Sequence, residues 1–194
     1  MTKVGVLALQ GDFAEHLQAL GKLKVETREV RLPRDLEGLG GLIIPGGEST
    51  SMARLMDIYE LRGPLKERVR EGMAVWGTCA GMILLARRLV EDRPEPLGLM
   101  DIEVRRNAFG RQVDSFEADL VIPALGDKPF HAVFIRAPVI TQVGPQAQIM
   151  AALKDGRAVA ARQGRMLGTA FHPELTEDLR FHRHFLKMVR SRAE

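Results

Sequence analysis

The sequence predicts an α/β fold: a mostly parallel sheet with helices on both faces, plus an antiparallel extension. Three observations carry this. Short runs that are apolar on both faces alternate with helically periodic segments as far as about Glu91. Glycine-rich turns separate several of these strands from the helix that follows. Beyond Glu91 the periodicity switches to two, as in half-exposed antiparallel strands.

Val4 to Leu9 is the first apolar run and ends at Gly11. Phe13, Leu17 and Leu20 then share one helical face. Val25 to Val30 reads as a second strand and Leu42-Ile43-Ile44 as a third, stopped by Pro45-Gly46-Gly47. Ser49 or Thr50 is expected to cap a helix with Met52, Leu55, Met56 and Tyr59 on one stripe. Pro64 suits the first turn of a further helix that reaches about Glu71. Met73 to Trp76 is a short buried strand. Gly77 to Gly81 turns it into a helix expected over Met82 to Arg87.

Pro94, Pro96 and Gly98 mark a loop. Ile102-Glu103-Val104 and Phe116 to Leu120 alternate as antiparallel strands do, and Phe130 to Ile135 and Gln148 to Ala152 are further strands. Asp155-Gly156 is a hairpin turn leading into Arg157 to Ala161. Met166 to Phe171 closes the strand set. A last helix is expected from Asp178 to Arg192, with Leu179, His182, Leu186 and Val189 inward.

The chain has 194 residues, 45% hydrophobic and 27% charged, which is enough to shield one core. With no repeat and no linker-like stretch, residues 1–194 read as a single domain. Lys and Arg exceed Asp and Glu by 28 − 25 = 3. So small an excess makes no phosphate-tracking surface, and nucleic acid is disfavoured as a partner. The longest apolar runs are strand-sized, so no membrane span is expected. Met1-Thr2-Lys3 passes straight into the first strand without the pattern of a secretory signal, and a cytoplasmic protein is expected. The single cysteine, Cys79, excludes a disulfide framework or a Cys-rich zinc site.

That cysteine stands in Gly77-Thr78-Cys79-Ala80-Gly81, a strand, G-x-C-x-G, helix sequence. This is the cysteine form of the nucleophile elbow. The sharp turn strains the central residue and lifts its side chain above the sheet, and the helix that begins there aims N–H groups at the sulfur. Both favour thiolate, the attacking species. A buried structural cysteine is the plainer alternative.

Among five histidines, His172 closes an apolar strand and begins His172-Pro173-Glu174. Residues two apart in an extended segment point to the same side, and Pro173 enforces extension at His172. Glu174 can therefore hold one ring nitrogen while the other faces a nucleophile, the orienter–base–nucleophile logic of triads. After the third strand, Pro45-Gly46-Gly47-Glu48-Ser49 allows close backbone approach to a ligand. The N–H groups of Gly47 and Ala80 are candidates for an oxyanion hole. Arg106, Arg111 and Arg136 could each meet a carboxylate, though most arginines are solvated. In Phe181-His182-Arg183-His184 the histidines lie two apart on a helix, so one is expected inward and one exposed.

Together, Gly77 to Gly81, Pro45 to Ser49 and His172 to Glu174 resemble the class I (triad-type) glutamine amidotransferases. Leu7-Ala8-Leu9-Gln10-Gly11 and Arg106-Asn107-Ala108-Phe109-Gly110-Arg111-Gln112 are similar to the branch that serves pyridoxal 5'-phosphate synthesis. The resemblance implies hydrolysis of L-glutamine to glutamate and ammonia through Cys79, His172 and Glu174. It implies a glutamine pocket of Gly47, Glu48, Ser49, Arg106, Ile135 and Arg136, with one or both of those arginines on the α-carboxylate. It also implies a (β/α)8-barrel synthase subunit as the partner that receives the ammonia within a large hetero-oligomer. Gln10 would stand near that interface. No metal or prosthetic cofactor is implied. Competing readings are a glutaminase for another synthase, such as that of imidazole glycerol phosphate, a stand-alone cysteine hydrolase of related fold, and a non-catalytic binding module.

Overall fold

A computed structural model describes residues 3–109 and 115–191. The first half of the chain lays down β1 (Lys3–Leu7), α1 (Phe13–Lys22), β2 (Thr27–Val30), β3 (Leu39–Ile44), α2 (Ser49–Ile58), α3 (Arg62–Arg70), β4 (Ala74–Thr78) and α4 (Ala80–Leu85). Then come β5 (Ala86–Leu89), β6 (Met100–Arg105), β7 (Ser115–Leu120), β8 (Phe130–Ile135), β9 (Val139–Val143), β10 (Gln148–Ala152), β11 (Ala158–Gln163), β12 (Met166–Thr169) and α5 (Arg180–Arg190).

One sheet runs in the order β2-β1-β3-β4-β12-β11-β9-β6-β5, with β10 paired to β11. Its β2 to β12 half is all parallel. From β12 outward the pairings turn antiparallel through β11, β9 and β6, and β7 and β8 form a separate antiparallel ribbon. The α/β architecture with an antiparallel extension is therefore as the residue pattern predicts.

The period-two alternation of β4 assigns the two faces. Trp76 is fully buried on one side, within 6.0 Å of the Phe181 and Phe185 rings of α5. Gly77 points to the other side, where α4 lies so close that a Cβ would stand 2.4 Å from the Gly81 carbonyl. Gly81 in turn approaches Ile44 O of β3, leaving no room for any side chain. The two glycines of the elbow thus have a packing role: they let α4 settle directly on the sheet and set the height of its first residue.

Several expectations are corrected. The helix after the elbow ends at Leu85, and Ala86–Leu89 is instead β5, parallel to β6. The apolar run Met82 to Ala86 carries no periodicity that separates a buried helix from a strand. The α2 cap is neither Ser49 nor Thr50: the Glu48 carboxylate accepts from Thr50 N (2.9 Å) and Ser51 N (2.7 Å). Tyr59, expected on the buried stripe, is the C-cap and exposed. β9, between Pro138 and Gly144, was not anticipated. The last helix runs from Arg180 to Arg190, with Phe181, His182, Phe185, Leu186, Met188 and Val189 buried. His184 is half-buried rather than exposed, and Arg192 lies outside the described residues.

Candidate active site

Strand β4 delivers Cys79 at the sheet's carboxyl edge. Its backbone sits at φ 47° and ψ −104° as the N-cap of α4, the left-handed region that a non-glycine residue enters at a cost of about 1–3 kcal/mol. The chain holds it there with a 2.7 Å bond from Cys79 N to Thr169 O of the neighbouring β12. The side chain opens into a cleft of about 440 Å³ lined by Gly47, Glu48, Ser49, Arg106, Ile135, Arg136 and His172, among others. Cys79 Sγ lies 3.8 Å from the Ile135 carbonyl oxygen, to which it donates.

His172 follows β12 and is 4% exposed. Its Nδ1 lies 2.8 Å from Glu174 Oε1. Asp12 Oδ2 stands 3.4 Å from the same nitrogen. Burial alone would favour a neutral ring. Hydrogen bonding to Asp12, to Cys79 and to Glu174 outweighs it and raises the pKa of His172 far above the ordinary value. A protonated imidazole therefore stands beside the sulfur. Glu174 is buried, which pushes its pKa up, while the imidazolium pulls the other way. Asp12, His172 and Glu174 bring ligand-type atoms within 4.8 Å of one another. The His172 Nδ1 that a metal would need is already engaged by Glu174.

The loops after β1 and β3 lock together over this pair. Asp12 N donates to Gly46 O at 3.0 Å, and Glu48 N donates to Gln10 Oε1 at 2.8 Å. Gly11 has φ 92° with its Cα pressed on the Gly46 carbonyl, so a side chain fits neither sterically nor conformationally. Gln10 thus braces the candidate oxyanion loop. The Glu48 carboxylate is desolvated in part, but the donors of the first α2 turn and the Ser51 hydroxyl lower its pKa to about 2. It also meets the Arg106 guanidinium at 3.6 Å. Arg106 is further anchored by Arg93 O at 2.8 Å and by Glu91, which accepts its backbone N–H.

Every sequence-predicted pocket residue thus lines the cleft, Glu174 stands behind His172, and Ala80 is the buried first residue of α4. Arg111 falls outside the described residues. The sequence reading missed Asp12, Ile83 and Asn107 as cleft-lining residues. Ile83 was findable, being one helical turn beyond Cys79. Asp12 had no signal beyond its place after a glycine. No helix among the described residues is long and apolar enough to cross a membrane.

A family model described as the SNO glutamine amidotransferase family matches residues 6–191. The chain belongs to that family. Its relatives include the pyridoxal 5'-phosphate synthase subunit PdxT of Herpetosiphon aurantiacus, 60% identical over 94% of this chain and 98% of that one. The protein of the same name from Moorella thermoacetica is 56% identical over 96% and 99%. A crystal structure of a glutamine amidotransferase superposes with a TM-score of 0.90 at 51% identity, covering 96% of this chain and 98% of that one. A Thermotoga maritima glutamine amidotransferase at 12% identity still reaches 0.68 over 98% and 99%, a likeness of fold alone.

Proposed function

We propose that this glutamine amidotransferase hydrolyses L-glutamine in the Cys79 cleft and passes the ammonia to a pyridoxal 5'-phosphate synthase subunit. The observation that carries the reading is the strained Cys79 sharing a cleft with His172, whose Nδ1 is held by Glu174 at 2.8 Å. Cys79 Sγ attacks the side-chain amide carbon. The oxyanion is taken by the N–H groups of Gly47 and Ala80. His172 gives its proton to the departing amide nitrogen, which leaves as ammonia. A water molecule, losing a proton to His172, then cleaves the γ-glutamyl thioester and regenerates the sulfur. Arg106 and Arg136 line the cleft, and one or both meet the substrate α-carboxylate. Arg106 already meets Glu48, so substrate competes with that pair. Residues 1–194 act as a single glutaminase domain, and the setting is cytoplasmic.

The partner reading is supported by the names of the relatives and by Gln10, which braces the loop that carries Gly47. A subunit docking near Gln10 would act on that loop directly. The test is ammonia release from glutamine with and without the (β/α)8-barrel synthase subunit. Marked stimulation is expected, and equal rates would contradict a partner-gated glutaminase.

A further inference from the structure

The second oxygen of Glu174 faces a buried histidine pair. Oε2 is buried and accepts no hydrogen bond. It faces His16 Nε2 at 3.4 Å, both side chains being wholly buried. His16 comes from α1 and also touches Thr78 Oγ1, the residue before the nucleophile, at 3.2 Å through the same nitrogen. Its Nδ1 lies 3.1 Å from His182 Nε2 of α5. Resting on the glutaminase reading above, we propose that His16 is a positioning residue for the reaction: its Nε2–H faces Glu174 Oε2 and fixes the carboxylate that orients His172.

The proton positions follow from counting donors. His16 is fully buried beside two other imidazoles, and desolvation first, then those neighbours, keep it neutral. A neutral ring has one N–H. With the proton on Nδ1, a lone pair would face the Glu174 carboxylate, and a buried charged oxygen would have no donor, which is strongly unfavourable. With the proton on Nε2, that N–H meets Thr78 Oγ1 at 3.2 Å and faces Glu174 Oε2 at 3.4 Å, and His16 Nδ1 accepts from His182 Nε2–H. His182 Nδ1 is then a bare lone pair, and it is indeed a buried nitrogen with no partner. Burial pushes the pKa of His182 down to about 4, so this ring too is neutral. One tautomer set therefore satisfies the chain from His182 through His16 and Glu174 to His172. His172 holds Oε1 of the carboxylate and the His16 N–H faces Oε2, so α1 and α5 reach the base through this one side chain.

The test uses the full chain with 15N-labelled histidine. Long-range proton–nitrogen spectra near neutral pH should show His16 and His182 both as Nε2–H tautomers. His16 as the Nδ1–H tautomer would overturn the proposal. Glutaminase kinetics in complex with the synthase subunit give a second readout. Glu174 does not line the cleft, so His16→Leu should lower kcat about 10- to 100-fold at nearly unchanged KM, the range for leaving a buried charged oxygen with no donor facing it. His16→Gln, which keeps a donor near the Nε2 position, should recover most of it. A His16→Leu enzyme with unchanged kcat, or a Gln variant no better than Leu, would refute the positioning role. Cys79→Ala separates the two levels. Turnover surviving that change would sink the glutaminase mechanism, whereas the tautomer result bears only on His16.

Discussion

Gly46 and His172 are in such close contact that a Cβ on the glycine would stand 2.4 Å from the imidazole Cε1 and 2.9 Å from Nδ1. The first glycine of the loop after β3 is therefore a seat for the base. It also brings the Asp12 carboxylate to bear on the ring, since the same Cβ would lie 3.0 Å from Asp12 Oδ2.

Gly46→Ala should accordingly displace His172 from Cys79 while leaving the sheet intact. The expected loss in the rate of ammonia release is on the order of 10²–10⁴-fold, the contribution of one positioned acid–base group. A circular-dichroism melt should show the fold retained.

Gly81→Ala is predicted to fail at an earlier level. Its Cβ would meet Ile44 O of β3 at 1.9 Å, a backbone atom that cannot step aside. Destabilisation of about 3 kcal/mol or more is expected in urea unfolding, at the top of the range for overpacking. A loss of activity without a loss of stability would argue that α4 does not rest on β3 as described.

Glu48 joins helix capping to the substrate pocket. Its folded pKa, about 2, lies below the ordinary value of 4.5. The unfolded chain therefore binds the proton more tightly, and the stabilisation is present above pH 4.5 and lost as pH falls toward 2. The side chain is half-exposed, so solvent screening makes this a small slope. Glu48→Ala should cost about 1 kcal/mol, as for loss of an N-cap, and flatten stability between pH 4.5 and 2. It also frees Arg106 from one anion, so KM for glutamine should change as well.

His182 should govern the start of acid unfolding. Burial lowers its pKa from 6.5 to about 4. The folded state thus resists protonation, and stability is full above pH 6.5 and declines as pH falls toward 4, by roughly 3 kcal/mol for such a shift. His182→Gln keeps a donor toward His16 without titrating, so its stability should vary less across that interval. Urea midpoints measured at pH 7, 5.5 and 4.5 would reveal this.

The parts of the fold and cleft that sequence alone revealed are those with local covalent logic. Gly77 to Gly81 can be nothing but a tight strand-to-helix turn, and Pro173 holds His172 and Glu174 in fixed relation. What stayed hidden depends on partners distant in sequence. Ala86–Leu89 is a strand because β6 lies alongside it, and nothing in its own four residues says so. Asp12 reaches His172 only because Gly11 lets two loops interlock. The burial of His16 had a faint signal, three residues after Phe13 on the face that also carries Leu17 and Leu20. Its contact with Glu174, from the other end of the chain, had none. Glu48 was read as a pocket residue, and the capping role that holds its carboxylate in place emerged only with the α2 geometry.

The most direct measurement of the central claim is glutamine-dependent ammonia release by Cys79→Ala, saturated with the synthase subunit, beside a calorimetric titration of the same variant with glutamine. The account predicts that glutamine still binds and that essentially no ammonia appears. Ammonia release at a substantial fraction of the wild-type rate would contradict it, because no other described side chain offers a sulfur nucleophile beside His172.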